Sequence, residues 1–169
     1  MDTLRAIAER HSTRLYLPKP VPRATLSKIV DAGRRAATAR NIQPWEFVVV
    51  TGAGLRARIA DVTEYGKFIR RAPACVAVLT AADAKYFLED GSAATENILV
   101  AAASLKVQSC WVAGDKKPYA PEIVRLLGAD PARYRLLSLI ALGYAGKEGR
   151  RVPKRPLASV LHWERFGGK

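Results

Sequence analysis

Histidine and cysteine are scarce in this chain, with two of each among 169 residues. Cys75 and Cys110 cannot make a disulfide framework. Both sit in apolar stretches, so they read as free core thiols in a reducing compartment. His11 and His162 are far apart in sequence, and neither stands at ligand spacing from a cysteine, so no metal site is expected. Every apolar run is broken well before the ~18 residues that a membrane helix needs. The N-terminal MDTLRAIAERHST carries acids in its first turns and no apolar h-region, so no signal peptide is expected and the location should be cytoplasmic. No Walker sequence and no G-x-G-x-x-G follows a strand-like run, and nothing marks a Ser/His/Asp or Cys/His triad. Acids are short as well: 15 Asp+Glu face 28 Lys+Arg, a formal net charge of +13.

Apolar residues make up 49% of the chain, which excludes disorder. The length suits a single domain over 1–169 with an ordinary core. The positive surplus sits at the ends. Residues 1–72 hold 14 basic and six acidic groups, 73–128 five and six, and 129–169 nine and three. A surplus of this kind attracts nucleic acid, acidic membrane or phosphorylated small molecules, or it is a solubilising surface. A nucleic-acid partner is disfavoured. Trp45, Phe47 and Trp111 lie in buried-type strands and are not interleaved with basic residues, so no stacking platform forms.

Hydrophobic period and breakers predict helices over 3–10, 23–37, 55–65, 91–105 and 121–127. In the first, Leu4, Ile7 and Ala8 form an apolar stripe. Buried strands are predicted over 45–51, 74–80, 107–113 and 136–144. The helix 91–105 is alanine-rich and apolar on nearly all sides, which suits a large core or a subunit interface. Lys147–Arg155 reads as a basic loop, and the tail beyond it ends in an apolar patch of Val160, Leu161, Trp163 and Phe166. Alternating strands and helices indicate an α/β or α+β sheet with helical layers.

Three groups could carry chemistry. In Arg10-His11-Ser12-Thr13-Arg14, an extended segment aims residues 12 and 14 the same way, beside Arg10. Two guanidiniums around a hydroxyl suit a phosphate, or the segment is a solvated helix end. Lys147, Arg150, Arg151, Lys154 and Arg155 form a second basic group, which is otherwise a solvated loop or nucleic-acid patch. Asn41 and Gln43 stand directly before a buried strand, where their amides could read a heterocycle edge or satisfy loop backbone.

Four motifs in order resemble the nitroreductase family of flavin enzymes. They are R-H-S-T-R (Arg10–Arg14), N-x-Q-P-W-x-F (Asn41–Phe47), G-S-A-A-T-E-N-I followed by S-C-W-V (Gly91–Ile98, Ser109–Val112), and L-G-Y followed by P-K-R-P-L and H-W (Leu142–Tyr144, Pro153–Leu157, His162–Trp163). They span nearly the whole chain. The resemblance implies an α+β fold with a central, mostly antiparallel sheet flanked by helices, in an intertwined homodimer with FMN at the subunit interface. It implies that Arg10, Lys154 and Arg155, with Arg151, hold the FMN phosphate, joined by Ser12 beside His11. Arg14 would lie near the pyrimidine end of the flavin ring. Thr38 and Ala39 would come from the other subunit, with Asn41 and Gln43 following. The backbone of Trp111, Val112 and Gly114 would pass the flavin near N5, and segment 147–169 would add to the FMN site and the dimer contacts. The chain departs from the family in having Ala37-Thr38 where Pro-Ser is common, and Lys106 and Gln108 where glycines are common. The implied activity is hydride transfer from NAD(P)H to FMN and on to a nitroaromatic, quinone or similar small acceptor, in a ping-pong cycle with no catalytic side chain. Family alternatives are dehalogenation, flavin breakdown, or redox-inactive flavin binding.

Overall fold

The computed structural model describes residues 2–146 and 152–168. Nine main elements follow in the order α1 (Thr3–Glu9), α2 (Arg23–Gly33), β1 (Trp45–Val50), α3 (Ala53–Val62), β2 (Ala74–Ala81), α4 (Phe87–Ser104), β3 (Gln108–Ala113), α5 (Ala120–Leu126) and β4 (Tyr134–Gly143). The strands form one sheet in the order β1-β2-β4-β3, with every pair antiparallel. This is the expected α+β architecture.

Alternation along β2 and β4 builds two cores. Cys75, Ala77, Leu79, Leu139 and Ala141 face Ile59 of α3 and Ile123 of α5. Val76, Val78, Ile140 and Leu142 face Ile29 of α2 and Ile98 and Leu99 of α4. Both faces of the two central strands are therefore covered, which is why they read as continuous apolar runs. Burial pushes the Cys75 thiol up to about 12. Both cysteines are free and buried, as expected.

A bulge in β4 shapes the middle of the sheet. Val78 pairs with Ser138 and Leu79 with Leu136, so Leu137 is the extra residue. Its side chain turns to the α4 side and packs where Gly91 leaves room; a Cβ on Gly91 would sit 2.5 Å from Leu137 Cδ2. On the backbone side, Leu137 O accepts N–H bonds from Gly114 and Asp115 at 3.0 and 3.1 Å.

Three helix expectations change. The stripe Leu4, Ile7, Ala8 does not face the core. Leu4 is 75% and Ile7 52% exposed, and α1 buries Ala6 instead, because a seven-residue helix packs only one narrow edge on α4. Helix α2 stops at Gly33 rather than residue 37, after which the chain turns toward the loop before β1. Helix α4 begins four residues earlier than expected, at Phe87. Gly91 breaks the sequence pattern there but is required by the contact with Leu137. Much of α4 is buried within the chain by the sheet and α2, so its apolar character serves this core first; Ala93, Val100 and Ala103 stay half-buried.

Lys106 caps α4 in the left-handed region, with φ 61°. Its N–H donates to Ala103 O at 3.0 Å, and Val107 N–H donates to Ala102 O at 2.9 Å, a geometry that favours glycine. The exposed contact from Lys106 to Glu9, at 3.6 Å, contributes little. Lys106→Gly should therefore raise stability by about 0.5–1 kcal/mol in urea denaturation. Gln108 acts on the segment after the sheet. Its Oε1 accepts the Ala145 N–H at 3.0 Å and ties down the chain beyond β4.

Among the described residues, no helix is long and apolar enough to cross a membrane. Lys147, Arg150 and Arg151 of the predicted basic loop lie outside the described residues. The tail from 152 to 168 is exposed almost throughout, including Leu157, Trp163 and Phe166, the last at 91%.

Candidate functional site

The segment after α1 docks on β3. Ser12 forms a parallel bridge with Ser109, and Thr13 N–H donates to Ser109 O at 2.9 Å. Docking carries Arg10, Ser12 and Arg14 to one place beside Cys110. Burial raises the Cys110 thiol, while Arg14, Ser12 and Arg10 pull it the other way. Among the described residues, Arg10 has one acidic neighbour, Glu96 of α4, at 3.6 Å. Arg14 lies over the Phe68 ring, 5.9 Å from its centroid. The His11 ring bonds Glu9 O through Nδ1 at 3.0 Å. Among the described residues, His11 Nε2 and Thr13 Oγ1 are buried without a partner. Two loosely engaged guanidiniums and an exposed hydroxyl make a donor set that fits an anion such as a phosphate.

Trp111, Val112 and Gly114 lie on β3 and just past its end, close in sequence to the Ser109 anchor. Trp111 is 37% exposed, whereas Val112 points into the α3/α5 core and offers only backbone. Gly114 is pressed against β4: an added Cβ would sit 2.8 Å from both Leu136 O and Leu137 O.

The loop before β1 holds the densest run of left-handed backbone among the described residues. Arg40, Asn41 and Gln43 all have positive φ, at 53°, 56° and 53°. Left-handed backbone costs such residues on the order of 1 kcal/mol each, so the loop must be held from outside. Asp90 of α4, 6% exposed, holds it. Its Oδ2 accepts the Thr38 hydroxyl at 2.8 Å and its Oδ1 the Ala39 N–H at 3.0 Å. Thr38 Oγ1 in turn accepts the Gln43 N–H at 3.2 Å. The Asn41 and Gln43 amides pair with each other at 3.1 Å and remain exposed.

Of the predicted residues, Arg10, His11, Ser12 and Arg14 are brought together with β3, and Thr38, Ala39, Asn41 and Gln43 form a separate loop. Among the described residues, no side-chain hydrogen bond or ion pair joins the two groups. Lys154 and Arg155 stay in the exposed tail, where Arg155 donates to Ser159 O at 2.9 Å. Within one chain they do not meet Arg10. Sequence reasoning missed Asp90 and Glu96; an acid in the first turn of α4 was the available signal for Asp90. A groove of about 1220 Å³ lies elsewhere, against α2 and the β1 edge, among Arg23, Leu26, Val30, Val49, Arg56 and Arg71. None of the candidate site residues lines it.

The sequence profile of the nitroreductase family matches residues 7–64 and 60–144. A protein of Methanothermobacter thermautotrophicus that carries the name NADH dehydrogenase/NAD(P)H nitroreductase is 33% identical over 150 residues, covering 85% of this chain and 78% of its own. A solved structure of the same name from Bacteroides thetaiotaomicron is 30% identical and superposes with a TM-score of 0.89, over 96% of this chain and 97% of that one. A nitroreductase from Desulfovibrio desulfuricans, solved in complex with FMN, is 30% identical with a TM-score of 0.86, over 98% of both chains.

Proposed function

Because the chain belongs to the nitroreductase family, we propose that it is an FMN-dependent oxidoreductase, taking hydride from NAD(P)H and passing it to a nitroaromatic, quinone or similar small acceptor. The observation that carries this reading is the convergence of Arg10, Ser12 and Arg14 on β3 beside Cys110, on the strand that also carries half-exposed Trp111. The similar chain from Desulfovibrio desulfuricans, solved with FMN, supports it.

When bound, FMN supplies the hydride chemistry, which asks no nucleophile or base of the side chains. Arg10 and Ser12 bind the phosphate through charged hydrogen bonds. Arg14 would supply a positive charge that favours the reduced, more negative cofactor. Asn41 and Gln43 would offer amide donors and acceptors to the ring. Trp111, Val112 and Gly114 would offer it backbone, and the half-exposed Trp111 ring an apolar cover.

The two groups that stay apart in one chain are read as halves of sites completed across a homodimer, with Lys154 and Arg155 of the tail reaching the phosphate there. Leu4 and Ile7 of α1 and Leu157, Trp163 and Phe166 of the tail are large exposed apolar side chains, and a second subunit would cover such surface. The protein should sediment as a dimer at micromolar concentration; a monomer would contradict this. Purified protein should be yellow or take up FMN when reconstituted, and a protein that cannot be loaded would remove the flavin reading.

A further inference from the structure

We infer that Thr38 and Asp90 are positioning residues for the cofactor, a two-residue clamp that holds Asn41 and Gln43 in the one backbone arrangement that presents their amides. The inference rests on the flavin reading above and concerns how the loop is held rather than what contacts the ring.

The clamp is a relay of three hydrogen bonds. The Gln43 N–H donates to Thr38 Oγ1 at 3.2 Å, the Thr38 hydroxyl donates to Asp90 Oδ2 at 2.8 Å, and the Ala39 N–H donates to Asp90 Oδ1 at 3.0 Å. Each partner has a distinct requirement. The residue at 38 must both accept and donate, which a hydroxyl does and an aliphatic side chain cannot. The residue at 90 must accept on two oxygens, which a carboxylate does and an amide cannot.

Asp90 is nearly buried, and no Lys or Arg pairs with it among the described residues. Its charge is met by the two loop donors and by the N-terminal end of α4. Burying a carboxylate without a cation is costly, and here it serves to fasten one loop. That loop has three left-handed, non-glycine residues among four positions, each with an exposed side chain. A turn needed only to connect α2 to β1 would relax to ordinary backbone or use glycine. Strain held by a buried anchor, under exposed amides, marks a segment kept in shape for what it presents.

The test is FMN affinity of the reconstituted full-length apoprotein, by quenching of flavin fluorescence, for wild type, Thr38→Val, Thr38→Ser and Asp90→Asn. Each variant's denaturation midpoint is measured in parallel. Thr38→Val keeps the shape and loses the relay; affinity should fall at least tenfold. Thr38→Ser keeps the hydroxyl and should bind within twofold of wild type. Asp90→Asn tests the same clamp from the other side and should weaken binding at least threefold, which keeps the test alive if Thr38→Val does not fold. Overturning results are Thr38→Val or Asp90→Asn binding within twofold of wild type, or Thr38→Ser losing as much as Thr38→Val. Wild type that binds no FMN would instead fail the flavin reading itself, so the two failures are distinguishable.

Discussion

Arg10→Ala is expected to weaken FMN binding by about 10- to 100-fold with little change in folding. A hydrogen bond to a charged group contributes roughly 1.5–3 kcal/mol, and each 1.4 kcal/mol is tenfold in affinity. Little holds Arg10 in place otherwise. Its only acidic partner among the described residues is the half-exposed Glu96, at 3.6 Å. An ion pair of that length and exposure adds at most a few tenths of a kcal/mol to stability. The backbone at Arg10, which closes α1 by donating to Ala6 O at 3.0 Å, is untouched by the substitution. Affinity and denaturation midpoint should therefore separate: the first falls and the second holds. Unchanged FMN affinity would refute the phosphate role.

The largest expected loss of stability belongs to Gly114→Ala, at about 2–3 kcal/mol. The bulge at Leu137 brings the β4 backbone against the end of β3. A methyl group on residue 114 would lie 2.8 Å from two carbonyl oxygens, and neither can move without breaking the Leu137 hydrogen bonds to residues 114 and 115. Gly91→Ala is the control. Its methyl would meet Leu137 Cδ2 and Thr80 Cγ2, side-chain atoms rather than backbone, of which the Leu137 end can give way, so the cost should be smaller, about 1 kcal/mol. Urea denaturation of the pair decides the matter, and equal losses would contradict the distinction. Gly114 is thus tied to β4 packing, independently of any approach to a flavin.

The strands were legible because their cause is local. WEFVVV, ACVAVLT and LLSLIALG are β-branched or aliphatic runs, and their observed limits fall within two residues of the reading. The motif segments were legible for a similar reason, since each is contiguous. What was hidden depends on contacts between distant parts of the chain. Gly91 looks like a helix start until Leu137 is seen packing over it, so the sequence pattern excludes Phe87–Asp90 from α4. With them goes Asp90, whose partners lie about fifty residues upstream at Thr38 and Ala39. The stripe Leu4, Ile7, Ala8 has helical spacing, but spacing does not say what covers it, and among the described residues nothing does. Lys154 and Arg155 share that difficulty: their sequence shows charge, and in the exposed tail neither pairs with an acid among the described residues. The surplus of +13 is only partly accounted for. Arg10 and Arg14 would use it at the proposed phosphate site, while Arg23, Arg56 and Arg71 line the separate groove beside α2.

The most direct test of the central claim is an anaerobic titration of the FMN-loaded protein with NADH and, separately, NADPH, followed by flavin absorbance. The reading predicts that at least one nicotinamide bleaches the oxidised flavin band stoichiometrically, and that adding a quinone or nitroaromatic restores it. A loaded protein whose flavin neither nicotinamide reduces would contradict it, leaving a flavin binder rather than an oxidoreductase.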